Sequence, residues 1–271
     1  GHLSASELRA LAGGARGVDL DQRDERGRTA LVAALQMEWL DGVRALLEMG
    51  ACPNVGDDCT GKRPLHAAIQ GCRAALPLLL EARADPNLQD KNPNLELGKL
   101  SKSFGGADLH RTPLHYGAEA GHLQSVVALL DARASPNTQD AEFMTPLHLA
   151  IDEDHEDVVD AILSRRADVN LGNIKLGLDS SPLLNAAYLG DRAMIAKLVA
   201  AGADVNRKRK CDMTALLIAV RARHEEAARA LVAARCDVHQ SSRGMTAADF
   251  AAKNGMGGLE SFLGGLIASS S

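Results

Sequence analysis

The sequence predicts an all-α fold: a solenoid of stacked helix–turn–helix units joined by finger loops of β-hairpin type. Three observations carry this. A Thr-Pro-Leu-His run occurs at Thr112-Pro113-Leu114-His115 and again at Thr145-Pro146-Leu147-His148. Weaker copies at Arg63-Pro64-Leu65-His66, Ser181-Pro182-Leu183-Leu184, Thr29-Ala30-Leu31, Thr214-Ala215-Leu216 and Thr246-Ala247-Ala248 bring the starts to seven, at 29, 63, 112, 145, 181, 214 and 246. A second landmark closes most units in the same register, as Ala51-Cys52-Pro53-Asn54, Ala84-Asp85-Pro86-Asn87, Ala134-Ser135-Pro136-Asn137, Ala167-Asp168-Val169-Asn170, Ala203-Asp204-Val205-Asn206 and Cys236-Asp237-Val238-His239. The composition, 46% hydrophobic but only 3% aromatic, leaves a core of alanine, leucine and valine, which thin stacked helices require.

Each element has a local cause. A Thr or Ser before the first turn accepts an orphan backbone N–H, and proline at the first helical position loses no needed donor; Arg63 is the one start without a capping side chain. Two short apolar-periodic helices follow each start, for example Pro146 to Ile151 and Glu156 to Leu163, with Gly71, Gly121, Gly190 or Gly255 between them in four units. After the second helix a glycine stands at Gly50 and Gly202, whereas Arg83, Arg133, Arg166 and Arg235 occupy the same slot elsewhere. In a left-handed slot each arginine costs roughly 1 kcal/mol relative to glycine. Residues 1–28, with a helix from Ala5 to Leu11, read as a capping half-unit or the remainder of an upstream one. The array is expected over 29–266, its last helix from Leu259 to Leu266, with a polar tail at 267–271.

A period near 33 carrying these two landmarks resembles the ankyrin repeat family, and the resemblance runs from about Ser4 to Leu266. It implies that neighbouring units bury one continuous core, that His66, His115 and His148 hydrogen-bond within and between turns, and that finger tips and late first-helix positions line one concave face. The function it implies is a non-catalytic adaptor or scaffold binding another protein. The alternative is a regulatory ankyrin segment of a larger protein or complex whose catalytic or channel part lies outside this chain. Asn170 and Asn206 match positions that an asparaginyl hydroxylase modifies in similar repeats.

Other classes find little support. A net charge of −5 gives no general pull toward nucleic acid or anionic membrane, and no apolar run reaches the 18 or so residues of a membrane span. The five cysteines, Cys52, Cys59, Cys72, Cys211 and Cys236, are odd in number and lack a CxxC pair, so reduced thiols in an intracellular compartment, cytoplasmic or nuclear, are expected. Cys52, Cys59 and Cys72 fit no paired-ligand zinc pattern, and neither a metal nor a cofactor is expected. The Gly255-Met256-Gly257-Gly258 run follows a helix rather than a strand and has no P-loop lysine. The three histidines recur at one equivalent position, as structural residues do, with no unique nucleophile or carboxylate beside them.

The family pattern assigns partner-binding positions repeat by repeat. They include Arg28, Lys62, Arg111 and Glu119 in the first three units, and Glu142, Met144, Asp152, Glu153, Leu178, Tyr188 and Leu189 in the fourth and fifth. Lys208, Lys210, Met213, Arg221, Arg243 and Met245 complete the set. Tyr188-Leu189 replaces the usual small polar pair, and adaptable methionines precede three starts; such residue types mark a binding centre. The bland alternative places Tyr188 and Leu189 in core volume. Acidic Asp152, Glu153, Asp154, Glu156, Asp157 and Asp160 oppose basic Arg207-Lys208-Arg209-Lys210, a polarity that would orient a partner. No aromatic residues interleave the basic run, which argues against nucleic acid.

Between repeats two and three, Asp90 to Thr112 spans 22 residues where the equivalent connection Asp140 to Thr145 spans 5. Loops of this length are functional or disordered. Spaced Leu95, Leu97, Leu100 and Phe104 suit the insertion at 91–107 to docking, and Ile174, Leu176 and Leu178 make a smaller apolar finger.

Overall fold

The computed structural model describes residues 19–58, 60–90, 109–172, 181–209 and 212–269. Among these, fourteen α-helices fall into seven antiparallel-type pairs, distributed over two compact units, 1–141 and 142–271. The first unit holds α1 (Ala30–Gln36) with α2 (Leu40–Glu48), α3 (Pro64–Gln70) with α4 (Leu76–Glu81) behind a 3-10 turn at Arg73–Ala75, and α5 (Pro113–Glu119) with α6 (Leu123–Asp131). The second holds α7 (Pro146–Asp152) with α8 (Glu156–Leu163), α9 (Pro182–Leu189) with α10 (Arg192–Ala200), α11 (Ala215–Arg221) with α12 (Glu225–Ala233), and α13 (Ala247–Lys253) with α14 (Gly257–Ser269).

Helices this short bury an apolar face only by stacking on their equivalents. In the first unit α1 packs on α3 and α3 on α5; in the second α7 packs on α9, α9 on α11 and α11 on α13. Leu31, Leu35, Leu65, Ile69 and Leu114 fill the first stack, and Leu147, Ile151, Leu183, Leu184, Leu216 and Leu217 the second, all inaccessible to solvent. Burying each such side chain contributes about 1.5–3 kcal/mol.

The helix starts follow the expected chemistry. Thr29 Oγ1 accepts the Val32 N–H at 3.3 Å, and Thr246 Oγ1 accepts that of Asp249 while the Asp249 carboxylate accepts the Thr246 N–H at 2.7 Å. Arg63 carries no acceptor; there His66 Nδ1 takes the Arg63 N–H at 3.1 Å. The slot after the second helix is left-handed throughout, with φ of 95° at Gly50 and 92° at Gly202, and 63°, 67°, 59° and 61° at Arg83, Arg133, Arg166 and Arg235. The Arg83 N–H donates to Leu80 and that of Ala84 to Leu79, the paired bonds of a Schellman ending.

Finger loops close as hairpins: β1 (Ser241–Ser242) pairs antiparallel with β2 (Met245–Thr246), and single bridges join Arg23 to Thr29 and Arg209 to Met213. The arms between fingers and helices are stitched by asparagine. Asn54 Oδ1 accepts the Asp85 N–H, Asn87 Oδ1 that of Ser135, Asn170 Oδ1 that of Asp204 and Asn206 Oδ1 that of Asp237, at 2.7–2.8 Å. One expectation is corrected here. The last helix runs to Ser269 instead of stopping at Leu266, because Ile267 and Ala268 continue the apolar helical run and the polar tail does not begin at 267.

The N-terminal segment 1–18, the insertion with Leu95, Leu97, Leu100 and Phe104, and Leu178 and Lys210 lie outside the described residues.

Candidate functional site

The buried histidines are structural. His66 is sealed from solvent; its Nδ1 accepts the Arg63 N–H and its Nε2–H donates to the Arg111 carbonyl at 2.9 Å, which fixes the neutral tautomer. Burial pushes its pKa down to about 3. His115 and His148 lie 2.8 and 2.9 Å from the hydroxyls of Thr112 and Thr145, in the same local arrangement. Among the described residues no group of three or more His, Cys, Asp or Glu is placed to hold a metal ion, and no helix is long and apolar enough to cross a membrane.

A single geometric rule governs the predicted finger and helix positions. In the unit 1–141, the residue just before each start sits in the finger arm and reaches inward toward the residue eight places later, at the end of the first helix. In the first unit that pair is always polar and always joined: Arg28 Nη1 donates to Gln36 Oε1 at 2.9 Å, Lys62 Nζ to Gln70 Oε1 at 2.9 Å, and Arg111 Nη1 to Glu119 Oε2 at 2.7 Å. Arg28 also forms a fork on Asp24 at 2.7 and 3.0 Å.

Arg111 is corrected from an exposed contact to an interior one. It is 8% exposed, and its Nε meets Asp140 Oδ2 at 3.2 Å while Glu119 takes the other arm. Beside it, Tyr116 Oη donates to Asp90 Oδ2, and its ring receives His66 edge-on at 5.6 Å and Lys62 Nζ at 5.4 Å from the centroid. Burial, reinforced by the Asp90 carboxylate, raises the Tyr116 phenol far above its usual range. These residues form an internally satisfied polar network.

In the second unit the same inward slot holds Met144, Met213 and Met245. Met144 and Met213 are 1% and 4% exposed, so neither is the accessible binding residue expected from the sequence; an apolar side chain in an inward slot packs under the helix. Met245 is half-buried. Methionine offers no charge to a partner eight residues on. Asp152 is instead bonded by Asn185 Nδ2 of the next repeat, whereas Arg221 and Lys253 are exposed.

The face this leaves around repeats five and six is apolar and cationic. Tyr188 and Leu189 are 62% and 49% exposed, which sets aside the core-filling alternative. The turn that carries them is pinned by His224, whose Nε2 bonds the Tyr188 carbonyl at 3.0 Å. At the following residue, left-handed Gly190, a Cβ would fall 2.5 Å from the His224 ring. Tyr188, Arg209, Met213, Ile218, Arg221 and Ala222 line a cleft of about 220 Å³, with Met213 and Ile218 buried as its floor. Arg209 Nε is shut off from water and has no hydrogen-bond partner among the described residues.

The acidic side of the expected polarity is partly consumed. Glu156 and Asp160 lie on α8 and hold Lys197 of α10 at 3.0 and 2.9 Å. Glu142 and Glu153 remain exposed, as do Lys208 and Arg243. Sequence reasoning missed Phe143, 45% exposed at the tip of the fourth finger with φ 61°. An aromatic residue in a slot that holds Gly27, Gly61, His110, Asp179, Asp212 and Gly244 in the other fingers was the available signal.

The comparisons with known proteins agree with this architecture. A family model described as ankyrin repeats matches three times, over residues 4–90, 91–173 and 183–263. The crystal structure of the ankyrin repeat domain of Bcl-3, a member of the IkappaB protein family, superposes with a TM-score of 0.69 at 24% identity, covering 83% of this chain and 95% of that one, a likeness of fold. Among curated relatives, a probable E3 ubiquitin-protein ligase, XBOS32 of Oryza sativa subsp. japonica, is 33% identical over 44% of this chain and 27% of its own length. Zygote-specific protein 3 of Chlamydomonas reinhardtii is 42% identical over 28% of this chain and 20% of its own. The chain thus spans about a quarter or less of these relatives. With family matches across nearly all of its length and the paired-helix, finger-loop architecture described above, the chain belongs to the ankyrin repeat family.

Proposed function

We propose that this chain is a non-catalytic recognition module that binds a partner protein through the first-helix ends and finger loops of repeats five to seven, in the unit 142–271. The observation that carries this reading is the exposure of Tyr188 and Leu189 beside the cleft. Large hydrophobic groups on a water-facing surface stabilise a complex when a partner covers them, and tyrosine is a frequent energetic centre of interfaces. Where the first unit closes its cations onto its own Gln and Glu side chains, the second leaves Arg221 and Lys253 available.

The test is affinity capture from the native extract with the wild-type chain and with Tyr188→Ala/Leu189→Ala, both checked by circular dichroism. Retention of a protein by the first bait and its loss from the second supports the reading. Equal retention moves the interface elsewhere, and no retained protein removes this reading.

A second reading, a recognition segment serving a catalytic part located elsewhere, is favoured by the relatives. The E3 ubiquitin-protein ligase XBAT33 of Arabidopsis thaliana, for instance, is 41% identical over 28% of this chain and only 15% of its own length. Sizing of the native complex followed by an activity assay of its components tests it.

A further inference from the structure

We infer that the cleft lined by Tyr188, Met213, Ile218, Arg209 and Arg221 recognises an acidic linear segment of a partner protein, with an aliphatic side chain on the cleft floor and neighbouring carboxylates on the two guanidinium groups. The inference rests on the protein-recognition reading above and names the chemistry of the partner.

The cleft has two kinds of wall. Buried Met213 and Ile218 with Ala222 make an apolar floor, and Tyr188 forms an exposed aromatic rim. A floor of about this volume, 220 Å³, accommodates one leucine- or isoleucine-sized side chain together with adjacent backbone. The remaining wall is cationic. Arg209 and Arg221 have no ion pair or side-chain hydrogen bond among the described residues, although Arg207, their neighbour in sequence, is occupied with the Asn170 carbonyl at 2.6 Å.

Arginines left uncompensated next to an apolar surface suit a carboxylate, which a guanidinium binds through two parallel N–H groups. Arg209 is the more telling of the two. Its Nε is already removed from water and unpaired, so part of the desolvation cost of the guanidinium is met in the free protein, and a ligand carboxylate would engage the group through its Nη atoms.

The charge pattern selects an acidic segment over a single terminal carboxylate. Lys208 in the same finger and Arg243 in the next are exposed and equally without an acidic partner among the described residues. One terminal carboxylate would leave both uncompensated. A run of carboxylates around one aliphatic residue matches the whole set.

The probe is a fluorescent, end-blocked peptide of glutamates around one leucine, titrated by anisotropy against the full chain. Three companion probes are used: glutamine for glutamate, serine for leucine, and a neutral leucine peptide whose free C-terminal carboxylate is its only acid. A single-stranded oligonucleotide serves as competitor. Arg221 and Tyr188 are exposed, so Arg221→Glu and Tyr188→Ala leave the core intact, which thermal melting verifies.

The expected result is binding of the acidic peptide, weakened about tenfold or more by glutamine replacement, by serine replacement and by Arg221→Glu, with salt weakening it further. A lysine-substituted peptide should gain affinity for Arg221→Glu. Equal binding of the glutamine peptide overturns the inference, as does indifference to Arg221→Glu and Tyr188→Ala. Preference for the free C-terminus, or tighter binding of the oligonucleotide, assigns the cleft to another ligand; self-association abolished by Arg221→Glu assigns it to a second copy of this chain. A partner captured through Tyr188 and Leu189 but not displaced by the acidic peptide would remove this inference and leave the recognition reading standing. Loss of capture altogether would remove the recognition reading itself.

Discussion

Asp90 and Arg111 clasp each other across the long insertion. The Asp90 N–H donates to the Arg111 carbonyl at 2.9 Å, and the Arg111 N–H donates back to Asp90 Oδ1 at 2.5 Å, although 21 positions separate them in sequence. The third finger is thus rooted like its shorter equivalents, such as Asp57 to Lys62, closed by one backbone bond at 2.9 Å. The other Asp90 oxygen takes the Tyr116 hydroxyl.

Replacing Asp90 by alanine removes two acceptor functions from a buried site and leaves the Tyr116 hydroxyl and the Arg111 amide unsatisfied. The expected loss is about 2–4 kcal/mol of stability, read from urea denaturation followed by circular dichroism. A change under about 0.5 kcal/mol would contradict the clasp.

The polar network around Arg111 makes a second contrast. Glu119→Ala leaves a mostly buried guanidinium with Asp140 as its remaining carboxylate partner, whereas Gln36→Ala removes an exposed acceptor from Arg28. We expect the first to cost about 1–3 kcal/mol and the second under about 0.5 kcal/mol, measured in the same denaturation series.

Acid should weaken the fold through His66. Its folded pKa, about 3, lies below the unfolded value of 6.5, so the unfolded chain binds more protons between them. The stability that His66 contributes is therefore complete above pH 6.5 and is lost as pH falls toward 3, by at most about 1.4 kcal/mol per pH unit. Asp24 and Asp249, whose pKa values are lowered by hydrogen bonds from Arg28 and Thr246, add to acid sensitivity only below their ordinary 3.8. Urea midpoints of wild type and His66→Gln across the upper window should diverge, with the variant less stable at neutral pH and flatter on acidification.

The left-handed arginines offer stabilising changes. Arg83→Gly and Arg133→Gly should each gain up to about 1 kcal/mol, because glycine adopts the native φ without steric cost, less the extra entropy it brings to the unfolded chain. Arg83→Ala should gain nothing, since alanine keeps the Cβ. Melting temperatures of the single and double variants check both statements.

Much of this architecture was legible because its causes are local. The Thr-Pro starts mark capping chemistry, and an arginine in the slot of Gly50 or Gly202 betrays a strained backbone whatever surrounds it. The candidate face was legible only in part. Tyr188 and Leu189 stand out by residue type, but the direction of the residue before each start depends on the pleat of the hairpin arm. Met144 and Met213 therefore looked available although they are buried. The eight-residue pairing of Arg111 with Glu119 also escaped notice, since it spans a finger arm and two helical turns, beyond the three- and four-residue neighbours that helical periodicity brings together.

The asparagine stitches have a mechanical consequence. Each of Asn54, Asn87, Asn170 and Asn206 bonds a backbone amide in the following repeat, so a repeat that opens strips its neighbour of a bond as well as of packed surface. Pulled from one end, such a stack yields like a zip fastener, tooth by tooth. Each tooth of about 33 residues pays out roughly 110–120 Å of slack chain before the next one bears the load.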